Sequence, residues 1–230
     1  MLLRNRVSTV LSILLPIVIL VATTFGNAPR LGGAAGIVAL ALTLGLLLSA
    51  LLGYSLALAH DRDAGVLQRL RVSPAPTWTI MMSRLCVQLA AALVASAIVV
   101  VVGAILHGLT INAAQYGLVP AIAVLGAAVF LSIGQALVAL VPSTNAVNAI
   151  GRILFTILVL LGLLGTTGIL RDVMQSITAW SRVGALLTLL AGVLSATPWS
   201  DQQTYALLAC AGYVLVFTFI GIRWFRWDSR

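Results

Sequence analysis

The chain has 230 residues, 61% of them hydrophobic and 8% charged, with 13 basic against 5 acidic side chains. Soluble domains run at about 45–50% apolar and about 25% charged. A mean hydropathy of +1.15 therefore excludes soluble, disordered and disulfide-scaffold classes and leaves an integral membrane protein. Every basic residue is Arg, and neither Lys nor Glu occurs, so the chain lacks the Lys of a phosphate-binding loop, a Schiff-base amine and the Glu of an HExxH metalloprotease.

A crossing needs about 20 apolar residues for about 30 Å of hydrocarbon, so the charge-free intervals give the element count. Arg4 and Arg6 precede the run Val7–Phe25, which is longer than a signal-peptide core of about 7–15 residues and lacks a clean cleavage site. It predicts an uncleaved first span over 7–26, kinked at Pro16. A second span is expected over 33–59, where Gly45, Ser49 and Gly53 repeat every four residues on one face, a helix-packing pattern. Between Arg84 and Arg152 no formal charge occurs. That interval fits two spans, 80–106 and 118–141, broken near His107–Gly117. Spans five and six are expected over 152–170 and 203–223. Residues 172–197 read as outer-face helices, because Pro198 and Trp199 leave only Val183–Ala196 as an apolar run, too short for a crossing and suited to an interfacial or re-entrant helix.

Charge parity sets the orientation. With six spans and both termini in the cytoplasm, the inside holds 10 Arg and the outside keeps Arg30, Arg171 and Arg182, as the positive-inside rule requires. A seventh crossing gives 7 to 6. Trp224 and Trp227 beside Arg223 and Arg226 read as an interfacial anchor on the cytoplasmic side. The predicted fold is thus an all-α membrane protein of six transmembrane helices, forming a single domain over 1–230, with a cytoplasmic segment at 60–76 and a short outer-face helical segment.

The spans are poor in chemistry. No formal charge is expected inside them, and Arg84, Arg152 and Arg223 are expected at their cytoplasmic ends, which counts against ion-coupled carriers and voltage-gated conduction. Gln88, Ser132, Gln135 and Thr156 are the polar candidates, either for helix packing through interhelical hydrogen bonds or for a weakly polar translocation path. Cys86, Cys210, His60 and His107 make no metal-ligand cluster, so no metal is expected. No acid/base pair or nucleophile constellation appears, and no catalytic residue is assigned.

The segment between spans two and three concentrates charge: two of five acids and three of 13 Arg lie within Asp61–Arg71. Val66, Leu67 and Leu70 form the apolar stripe of a short amphipathic helix. Asp61 and Asp63 sit at its start and Arg69 and Arg71 at its end, both matching the helix dipole; Pro74 ends it. Such a helix either lies on anionic lipid through its Arg residues or docks on a cytoplasmic protein, and the acids favour the protein.

The run Asp61-Arg62-Asp63-Ala64-Gly65-Val66-Leu67-Gln68-Arg69-Leu70-Arg71-Val72-Ser73-Pro74 resembles the acid-Arg-acid-x-Gly, Leu-x-Arg-Leu, Ser/Thr-Pro signature of type-2 ATP-binding-cassette (ABC) transporter permeases. Arg4–Asn27, with Leu15-Pro16 and Phe25-Gly26, resembles that family's first span. Val141–Leu160, with Asn145, Asn148 and Gly151, resembles its fourth-to-fifth connection, and Val173–Ala196 its outer-face segment. Asp replaces the family's usual Glu at 61 and 63, Gln68 stands where Glu is common, and Gly165–Leu170 replaces the usual motif after the fifth span.

The resemblance implies that residues 60–76 are a coupling helix. Asp61, Arg62, Asp63, Gly65, Leu67, Arg69 and Leu70 would then contact a separate ABC ATPase subunit that holds ATP and Mg, this chain carrying no cofactor. It also implies a second permease subunit, self or homologue, together with membrane lipid and no nucleic acid. ATP-driven export across a bacterial inner membrane is the expected activity, and the apolar interior points to a hydrophobic or amphipathic cargo such as a drug or lipid. The rival class is a non-transporting membrane scaffold with a lipid-associated loop helix.

Overall fold

A computed structural model describes residues 6–24, 33–65, 77–109, 112–167 and 182–224. Seven helices follow in order: α1 (Arg6–Thr24), α2 (Gly33–Asp63), α3 (Thr77–His107), α4 (Ala113–Leu140), α5 (Thr144–Thr167), α6 (Arg182–Leu194) and α7 (Asp201–Arg223). No strand occurs among the described residues. This is what an apolar solvent allows, since a helix satisfies its own backbone groups without water. α2, α3, α4, α5 and α7 each hold a stretch long and apolar enough to cross a bilayer. α1 has 19 residues, about 28 Å at about 1.5 Å per residue, and continues through Pro16, whose ring is buried.

α2 and α4 form the core, with 72% of each apolar window buried, whereas α3, α5 and α7 bury only 17–22% of theirs. The outer helices therefore present apolar faces to lipid: Val94, Val101 and Ile105 on α3, Ile153 and Leu160 on α5, Leu208, Leu215 and Phe219 on α7. Exposed aromatics stand at the helix ends, Tyr116 near the start of α4, Trp199 and Tyr205 around the start of α7, and Trp224 just after its end. Those are the positions amphipathic rings take at headgroup level.

α2 is α-helical except for Leu47–Gly53, which is π-helical. A π turn holds one more residue than an α turn and leaves a carbonyl without its usual partner. Two neighbours accommodate it. Gln88 Nε2 on α3 donates to Ser49 O at 3.4 Å and Ser49 Oγ at 3.2 Å, and Gly134 on α4 lets the Ala50 and Leu51 carbonyls approach, since a Cβ there would lie 3.3 Å from both oxygens. The sequence pattern Gly45, Ser49, Gly53 thus straddles a break in helical register rather than an unbroken α face.

α6 is enclosed by α2, α4, α5 and α7. Val183, Ala185, Leu186, Leu189 and Leu190 are all at most 1% exposed. Leu186 packs where Gly126, the fourteenth of the 28 residues of α4, has no side chain. At the other end Gln115, in the first turn of α4, donates to Val193 O at 2.7 Å. α6 therefore runs alongside α4 from its midpoint to its first turn.

Several boundaries differ from expectation. α2 extends to Asp63, because the stop is Gly65 in the left-handed region at φ +67° with its N–H on Arg62 O at 3.0 Å. Asp61 and Asp63 consequently sit at a helix C-terminus, not at the start of the next helix. α5 begins at Thr144 rather than 152, so Arg152 is exposed within it, two turns from its start, and Arg84, half-buried, lies two turns inside α3. A charge marks where hydrocarbon ends, whereas a helix continues into the headgroups until a breaker stops it.

Candidate functional site

One end of the bundle gathers the ends of α2 and α4 with the starts of α3 and α5. Three consecutive residues in the last turn of α2 bind them. An α-helix turns about 100° per residue, so neighbours in sequence address different partners. Asp61 Oδ2 lies 2.8 Å from Arg84 Nη1 on α3. Arg62 turns into the core and is 3% exposed. Its Nη1 donates to Val138 O at 2.7 Å and Val141 O at 3.0 Å, and its Nη2 donates to Pro142 O at 2.9 Å. Asp63 accepts from the Thr144 hydroxyl at the start of α5 and lies 3.6 Å from Arg62 Nε.

Each contact has a local cause. The last carbonyls of α4 have no intrahelical donor, and Pro142 supplies no N–H of its own. A guanidinium carries five donors in a fixed fork, and a cation at a helix C-terminus also favours the dipole. Arg62 therefore caps α4 from outside that helix. Asp61 and Asp63 sit at the negative end of α2, an unfavourable place for an anion, which Arg84 and the Arg62–Thr144 pair offset. Beyond Gly65 the chain passes directly into residues 66–76.

Of the residues expected at the partner face, Arg62 is enclosed by its own chain, because three main-chain carbonyls, the Val138 one buried, hold it there. Asp61 and Asp63 keep edges at the surface, Asp63 being exposed. Gly65 closes the cap, and Leu67, Arg69 and Leu70 lie outside the described residues, as does the stretch over which the amphipathic helix is expected. The four polar candidates of the spans take four separate partners. Gln88 bonds Ser49 across α2 and α3. Ser132 Oγ and Thr156 Oγ1 donate within their own helices to Val129 O and Arg152 O, at 2.8 and 2.9 Å. Gln135 packs over Gly221 of α7. Sequence reasoning missed Thr144 and the carbonyls of α4; a Pro two residues past a helix end was the signal for the latter.

An all-helical bundle with five bilayer-length apolar helices and a charged knot at one end defines a multi-pass membrane protein built around one polar junction. The chain matches the ABC-2 type transporter family over residues 1–185, and it belongs to that family. It is a permease component of an ABC transporter, the transport part and not the catalytic one, and the family implies an ATP-binding partner and often a second permease. No curated protein matches the chain.

Proposed function

We propose that the chain is the membrane subunit of an ATP-driven exporter of hydrophobic or amphipathic molecules. Its six spans would be α1 to α5 and α7, both termini would lie in the cytoplasm, and residues 60–76 would be the coupling segment. The observation that carries this reading is the Asp61–Arg62–Asp63 junction, which joins the ends of four helices at the point where the chain enters the one charged amphipathic stretch between spans. Nucleotide chemistry is assigned to a partner because this chain has no Lys for a phosphate-binding loop. A drug- or lipid-like cargo fits an apolar interior in which Ser132 and Thr156 bond within their own helices and Gln88 bonds Ser49. Two copies, or a copy and a homologue, would enclose the path.

The test is purification from native membranes. The permease should carry a P-loop ATPase subunit in stoichiometric amount, and Leu67→Glu with Leu70→Glu should release that subunit while leaving insertion unchanged. A chain that purifies without any ATPase, or keeps it in the double variant, would support the scaffold alternative or remove the coupling segment from the contact.

A further inference from the structure

Whichever surface receives the motor's stroke, that stroke must reach the other spans, and the fan of Asp61, Arg62 and Asp63 bears on how. We infer that Arg62 is a positioning residue that makes the ends of α2 and α4 one mechanical body, so that movement of residues 66–76 drives both helices together. This inference rests on the permease reading above and deepens it by reassigning Arg62 from partner contact to internal tie.

Three observations carry it. The guanidinium is nine-tenths buried and more, and its two terminal nitrogens donate to main-chain carbonyls of the α4 end and its exit, at 2.7, 3.0 and 2.9 Å. A link to main chain transmits displacement of the backbone itself, which a link between two side-chain tips does not. The three acceptors belong to Val138, Val141 and Pro142, straddling the point where α4 stops, so Arg62 also fixes the direction in which the chain leaves for α5. Finally, the flanking residues tie the same turn to α3 through Arg84 and to α5 through Thr144, leaving α2 no independent swing at this end. Buried charge without such a role is poor value for stability, since apolar replacements are often as stable.

The experiment uses the full permease assembled with its ATPase subunit in lipid nanodiscs, with Cys86→Ser and Cys210→Ala and spin labels at His60→Cys and Leu140→Cys. These two exposed positions flank the tie on α2 and α4. In the parent, the 60–140 distance should be unchanged between the nucleotide-free and ATP-bound states. Arg62→Met should introduce an ATP-dependent shift in it, and Arg62→Lys, which keeps the charge but not the fork, a smaller one. A residue serving only stability would alter yield or melting and leave no dependence on ATP. An ATP-driven shift in the parent, or its absence in Arg62→Met, overturns the inference; should Arg62→Met not fold, the parent and Arg62→Lys decide. Failure of the permease reading shows separately, as no ATPase retained on the nanodisc. In that event the nucleotide-free 60–140 distribution still judges the tie, broader in Arg62→Lys than in the parent if it holds and identical if it does not.

Discussion

Arg62 shows how far one side chain can depart from its place in the sequence. Flanked by two acids in a charged stretch, it reads as a surface residue, yet it satisfies three carbonyls that the end of α4 leaves open. Leaving a buried acceptor unsatisfied costs about 1–3 kcal/mol, and of the three acceptors only that of Val138 is fully buried, so Arg62→Met should lower stability by about 1–3 kcal/mol, read as a drop in detergent melting temperature. The Asp61–Arg84 pair is partly exposed and its worth is correspondingly smaller, about 1 kcal/mol at most. Asp61→Arg should destabilise through repulsion with Arg84, and adding Arg84→Asp should restore most of the melting temperature. An unrelieved loss in the double variant would show that Asp61 has another task.

At the scale of elements, α2 is the unusual one. Its π turn carries one residue more than α geometry needs, and Gln88 takes up a carbonyl in that segment. Deleting Leu48 should return Leu47–Gly53 to α-helix while keeping the register of Asp61–Asp63. Gln88→Leu should cost about 0.6 kcal/mol in the parent, the average for an interhelical bond in a membrane, and close to nothing in the deletion variant. Equal costs in both would place the Gln88 partner outside the π turn. α6 offers a packing test: a Cβ at Gly126 would lie 2.6 Å from Leu186 Cδ2. Gly126→Val should therefore overpack the α4–α6 contact by about 1–3 kcal/mol and lower the melting temperature, and Leu186→Ala alongside it should recover part of the loss.

These elements also mark what the sequence made legible. Apolar intervals between Arg residues located five helices long and apolar enough to cross a bilayer, because charge is excluded from hydrocarbon, and the short run after Val183 announced a helix of only 13 residues. Helix ends were misplaced wherever a charge was taken as a stop: α5 starts at Thr144 and α2 ends at Asp63, since only Gly65 or a proline breaks the backbone pattern. The π turn left no trace in residue type, because a register change depends on tertiary contacts with Gln88 and Gly134. The inward turn of Arg62 was equally hidden, for its acceptors are carbonyls some 76–80 positions away in sequence, and main-chain acceptors have no letter.

For the whole molecule the arrangement is a core pair, α2 and α4, sheathed by lipid-facing helices and knotted at one end. The knot lies where α2 hands over to the charged segment that the proposed function takes as the coupling element. The direct measurement is site-specific photo-crosslinking from position 67 in native membranes while ATP is being turned over. The account predicts a crosslink from Leu67 to an ATP-binding subunit; adducts to lipid alone, with no second polypeptide captured, would contradict it.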